Sequence, residues 1–146
     1  MRGDTRRYRA LHLYEQFELL RIESHCLHLS DINKDLSGNW ALVVLHRVPF
    51  DQYVQKIIQE IFTNDPIIFS DFDDLIFDLS SFRYISSPDF SDTFRVRLYL
   101  QEMERIHTTL QRSEGSLAST KYLAARIRKE GKPAWVHRNA FSLEML

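Results

Sequence analysis

Three groups of side chains in this sequence have types and spacings that could do chemistry. The first is the stretch KYLAARIRKEGKPAWVHRN, residues 121–139, with six lysines or arginines against one glutamate. Read as a helix over 117–130, it puts Leu123, Ala124 and Ile127 on one side and its cations on the other. Such a face suits phosphates, since each cation that meets one releases a condensed counterion. Lys121, Arg126, Arg128, Lys129, Lys132 and Arg138 are the candidate nucleic-acid contacts, with Trp135 as the stacking anchor. The second group is His25, Cys26 and His28, with His46 on an expected partner strand. Strand alternation puts Cys26 and His28 on one face and His25 on the other. A fourth zinc ligand and a paired-cysteine motif are missing, so no metal and no other cofactor is expected.

The third group is the string IIFSDFDDLIF, residues 67–77. It resembles the first motif of haloacid-dehalogenase-type phosphotransferases, in which an apolar strand delivers an Asp-x-Asp pair. The resemblance implies a Mg²⁺-dependent phosphatase-like enzyme with Asp71 as nucleophile and Asp73 as acid/base. Asp74 stands where that family has glycine and Leu75 where it has threonine, and the likeness spans about ten residues. Glycine-rich phosphate loops and the GxSxG elbow are absent from the sequence. The expectation is therefore a protein that is not an enzyme and has no small-molecule substrate.

Charge is distributed unevenly behind a net charge of −1. Residues 1–48 carry seven Lys/Arg and six Asp/Glu, residues 49–93 two and nine, and residues 94–146 ten and five. An acidic middle beside a basic end neutralises itself within the fold or presents two contact surfaces of opposite sign. The acidic region, residues 65–90, is also rich in aromatics. Phe72, Phe77 and Phe82, with Trp135 and Phe141 from the C-terminal end, are the candidate protein-interface anchors.

The elements that must position these groups follow from periodicity. Residues 4–23 read as a helix capped by Asp4 or Thr5. Residues 25–30 and 40–47 read as a β-hairpin with a long loop. Val54, Ile57, Ile58 and Ile61 form one stripe of a helix over 49–63, with Pro49 at its first position. Residues 67–79 fit either a helix or, over IIF, a buried strand. Val96, Tyr99, Met103, Ile106 and Leu110 make an apolar seam on a helix over 92–112, and a last helix stops at Gly131.

A single chain of 146 residues with one cysteine and 44% hydrophobic residues suits one domain in a reducing compartment. The expected fold is α+β and mostly helical, four to five helices with a small β-hairpin near residues 25–47. Residues 1–131 are expected to be globular and 132–146 a C-terminal tail ordered on a partner. The location expected is cytoplasmic or nuclear, less so mitochondrial, with no membrane association. The function expected is a non-catalytic small subunit of a larger assembly that contacts nucleic acid, RNA favoured, through its basic C-terminal helix and tail. The alternative is a protein–protein adaptor using residues 65–90.

Overall fold

The computed structural model describes residues 7–32, 38–62 and 64–139. Four parallel strands form one sheet in the order of the chain: β1 Leu42–His46, β2 Ile67–Phe72, β3 Gly115–Ala118 and β4 Ala134–Val136. Three helices connect them: α2 Gln52–Ile61, α3 Thr93–Arg112 and α4 Lys121–Lys129. A π-helical turn, Arg7–Leu11, leads into α1, His12–Leu19, ahead of the sheet.

This overturns the mostly helical domain with a small hairpin. Residues 42–46 are a strand, but their partner is β2 and the pairing is parallel. Residues 22–28 join no strand, and Leu29–Asp31 form a 3₁₀ turn. The physical reason lies in LVVLH and IIFSDF. Both are near-continuous apolar runs, which is how strands of a parallel sheet read, whereas a half-solvated hairpin would alternate.

Caps set the helix boundaries. The Asp51 carboxylate accepts from the Val54 N–H at 2.9 Å, so Pro49 lies two residues before the N-cap instead of inside the helix. Asp92 accepts from the Phe94 N–H and starts α3, and Thr120 accepts from the Leu123 N–H and starts α4. Gly131, at φ +80°, turns the chain after α4 in the left-handed region that glycine adopts freely. The segment after it, expected as a tail, contributes β4. Asp4, Thr5 and Phe141 lie outside the described residues.

Sequential strand order with right-handed crossovers sends the connecting helices to one face of the sheet. The buried cluster agrees for two of them. Phe72, Ala118 and Ala134 point from the strands into Ile106 and Leu110 of α3 and Leu123, Ala124 and Ile127 of α4. Strand alternation and the register then fix the opposite face: Leu42, Val44 and His46 from β1, Ile67, Phe69 and Asp71 from β2, Gly115 and Leu117 from β3, and Trp135 from β4. One register row across that face reads His46, Asp71, Leu117, Trp135.

Gly115 makes room on this face. The Trp135 ring stacks on Phe69 with centroids 5.3 Å apart and planes 13° from parallel. A Cβ at residue 115 would sit 2.7 Å from Trp135 Cζ3 and 3.1 Å from the Phe69 ring. Because Trp135 is half exposed, it can swing away more easily than the sheet can deform. Gly115→Ala is therefore expected to cost about 1 kcal/mol, the worth of the lost stack, and to red-shift tryptophan emission. Urea unfolding and the emission spectrum of the folded state check this; unchanged stability and spectrum would mean the stack is not held in place by the glycine.

Candidate functional site

Parallel α/β sheets place their ligands at the carboxyl ends of the strands. At that edge β1 delivers His46 and β2 delivers Asp71, and the chain leaving β4 brings His137. The His137 N–H donates to the Ala118 carbonyl at 2.9 Å, which continues the pairing one step past β4. Arg47, immediately after His46, has φ +52°, rare for a residue with a side chain. Its N–H donates to the Asp71 carbonyl at 3.2 Å, tying the turn out of β1 to the end of β2.

Asp71 is the hub. Its side chain is 4% exposed and makes three hydrogen bonds with two partners. Arg9 donates through Nε to Oδ2 at 3.2 Å and through Nη2 to Oδ1, a two-pronged grip from 62 residues away. His46 Nδ1 lies 2.8 Å from Oδ2. The same Arg9 side chain, wholly buried, donates Nη1 to the His137 carbonyl and to Asn139 Oδ1. Beside it the His12 and His137 rings stack with centroids 6.1 Å apart.

These contacts set the charges. Burial alone would raise the Asp71 pKa, but hydrogen bonds from His46 and Arg9, together with the Arg9 charge, hold it below its ordinary 3.8. Asp71 is thus a carboxylate, and the His46 nitrogen facing it carries the proton. His46 Nε2 is the ring nitrogen that Asp71 does not engage. It is buried and has no hydrogen-bond partner among the described residues, and the same holds for His12 Nδ1 and His137 Nε2. Burial, and next the Arg9 charge, push the His137 pKa below its ordinary 6.5.

The acid pair of the phosphotransferase-like string is placed as follows. Asp71 does end a strand, as that resemblance implies, but its oxygens are occupied by Arg9 and His46. Asp73 lies 3.5 Å from Arg47 Nη1 and is 8% exposed. The histidine–cysteine group does not assemble. His46 turns to Asp71 and His28 bonds Ser30, and among the described residues no three His, Cys, Asp or Glu side chains are grouped to hold a metal ion.

The basic candidates divide. Arg126 pairs with Asp78, which joins the basic end to the acidic middle inside one fold. Arg128 donates to the Ala134 carbonyl, and Lys132 donates to the carbonyls of Gln111 and Ser113. Those two side chains tie α4, β4 and the end of α3 together. Lys121, Lys129 and Arg138 are exposed, and Trp135 is 51% exposed. Among the interface candidates, Phe72 and Phe77 are 0% exposed and meet at a tilt in the core, out of a partner's reach. Phe82 is half-buried against Phe90 and Tyr99.

Arg9 had no place in the sequence-based site, and the Asp71–His46 pair was not anticipated. The signal for the pair was present: each residue closes an apolar run, so reading both runs as parallel strands puts both side chains at one edge. The chain matches no family model, no curated protein and no solved structure. No helix among the described residues is long and apolar enough to cross a membrane.

Removing Arg9 would leave a buried carboxylate without its charge partner. Arg9→Ala is expected to cost about 3–5 kcal/mol, and Arg9→Met with Asp71→Asn less than the sum of the two single changes. Chemical denaturation of the natural protein, the three single variants and the paired variant measures this; strict additivity would mean that the pair is not coupled. The two shifted groups also give stability a pH profile. The His137 pKa is depressed, so stability is full above 6.5 and falls as pH drops from there to the depressed value. The Asp71 contribution is present above 3.8 and is lost as pH falls through its lower folded value. Melting temperatures between pH 7 and 5 should decline in the natural protein and flatten in His137→Gln.

Proposed function

We propose that this chain is a ligand-binding α/β domain that works through the carboxyl edge of its sheet, with His46 as the acid–base contact. One observation carries the reading: Asp71 holds His46 by Nδ1, while Nε2 is buried without a partner among the described residues. A carboxylate that fixes the tautomer and orientation of an imidazole leaves the other nitrogen ready to take a proton. A buried polar atom without a partner calls for one, which a bound molecule supplies. The Arg9 and Asp71 charges cancel, so the pair offers a ligand no net charge. A balanced site of this kind favours a neutral hydroxyl-bearing small molecule, whose O–H donates to Nε2, over an anion. This departs from the expectation of a subunit without a small-molecule substrate, and the reason is the position of the pair at the edge where parallel sheets bind.

The test has two parts. Nitrogen-15 chemical shifts should report the Nδ1–H tautomer for His46 at neutral pH. A thermal-shift screen of polyols, sugars and amino alcohols should find stabilising compounds whose effect disappears in His46→Ala. An Nε2–H tautomer, or hits indifferent to His46→Ala, would reject the reading.

A second reading, a nucleic-acid-contacting subunit, is favoured by the half-exposed Trp135 with exposed Arg138, Lys121 and Lys129 on the same C-terminal segment. Charge reversal of those three cations, which hold no element together, should weaken binding to single-stranded RNA and lower the salt slope by about two to three. Fluorescence anisotropy at several salt concentrations measures it, and an unchanged slope rejects it.

A further inference from the structure

We propose that a small cavity on the helix side of the carboxyl edge binds a free aliphatic α-amino acid, with Arg47 taking its carboxylate and Asp74 and Glu102 its ammonium. The cavity lies across the sheet from the His46 side chain, and the proposal does not depend on the reading of that residue.

The cavity has a volume of about 130 Å³. Its floor is apolar and buried, made by Ile76 with Met103 and Ile106 of α3. Ile106 also packs on Phe72 in the core, which puts the cavity on the face that α3 covers. The rim is charged. Arg47 comes from the turn after β1, Asp74 from the loop after β2 and Glu102 from α3, with the Tyr99 side chain between them and the floor. An apolar floor with a few placed polar groups is the usual make-up of a small-molecule site. The space equals about four waters at roughly 30 Å³ each in the liquid, so the occupant is a molecule of a few carbons.

The rim groups are not spent on one another. Arg47 Nη1 lies 3.5 Å from Asp73 Oδ1, too loosely for a hydrogen bond, and that oxygen is buried without one among the described residues. The guanidinium fork therefore keeps donors for a carboxylate, which it can take in two-pronged fashion. Asp74 accepts from the Leu75 N–H, and neither Asp74 nor Glu102 has an ion-pair partner among the described residues. Tyr99 reports the grouping: burial first and the Asp74 charge next raise its pKa, with Arg47 opposing the rise and Glu102 adding to it. Three charges thus act on one point of the cavity wall. Arg47 is also a backbone outlier at φ +52°, held there by its N–H bond to the Asp71 carbonyl, and such outliers gather at binding sites.

One cation and two anions above an apolar floor match a molecule with one carboxylate, one ammonium and a short branched chain. A carboxylate alone would face Asp74 and Glu102 without compensation. An amine alone would leave the Arg47 donors unused.

The test is a nuclear magnetic resonance titration of the natural protein with L-valine. The Asp74, Tyr99 and Glu102 amides should shift and saturate. Isobutylamine and isovalerate, which are valine without its carboxylate and without its ammonium, should each bind at least about tenfold more weakly, the worth of one lost charged hydrogen bond. Arg47→Gln and Glu102→Gln should each weaken valine by a similar factor with an unchanged far-ultraviolet circular dichroism spectrum. Glu102 is exposed on α3, so its variant keeps the test decisive if Arg47→Gln is unstable. No saturable shift with valine would overturn the proposal. So would equal binding of the amine or the acid, or valine binding that Glu102→Gln leaves unchanged.

Discussion

The arrangement depends on one buried ion pair. Arg9 and Asp71 are 62 residues apart and both out of contact with water. Taking either charge into the interior by itself would cost several kcal/mol, so each makes the other possible. Their meeting fixes where Arg9 lies, which carboxylate oxygen is left to His46 Nδ1 and why Asp71 stays ionised in a place where burial favours the acid. A two-pronged contact between guanidinium and carboxylate also has a preferred plane, which gives the pair directional control that an apolar contact lacks.

The pair stands where topology makes it useful. Strands that run parallel all end at the same edge, and the side chains of their last residues converge there. His46 and Asp71 share a register position on neighbouring strands, and their side chains leave the sheet on the face away from α3 and α4. The helix-facing side is ordinary core, built from Phe72, Ala118 and Ala134 against aliphatic residues of the two helices. The same strands thus carry a packed side that holds the fold and a second side with polar chemistry at its carboxyl end. Trp135 belongs to the same register row, with its ring laid back over Gly115 onto Phe69.

The distribution of charge acquires a structural meaning. An acidic middle and a basic end are brought together by Asp78 and Arg126, and Arg128 and Lys132 serve as fasteners for backbone carbonyls. What remains for a polyanion is a thinner set, Lys121, Lys129 and Arg138, than the sequence by itself suggests. Basic residues near the ends of helices often satisfy carbonyls in this way, because the last carbonyls of a helix have no partner within it.

By itself the sequence determined the local features. The stripes of α2, α3 and α4 are written in spacing, and the stop of α4 in Gly131, whereas the N-caps at Asp51 and Thr120 emerge only in the structure. The turn chemistry at Gly131 follows from a residue type that alone enters the left-handed region without cost. The pairing of strands was a tertiary decision. LVVLH and IIFSDF are apolar on both sides, so no alternation says which face is inward or whether the neighbour runs parallel or antiparallel, and only the helices lying between the strands settle that. The site was decided at the same level. Arg9, His46, Asp71 and His137 are strangers along the chain, and an interaction between charges depends on distance in space, which the order of residues does not contain.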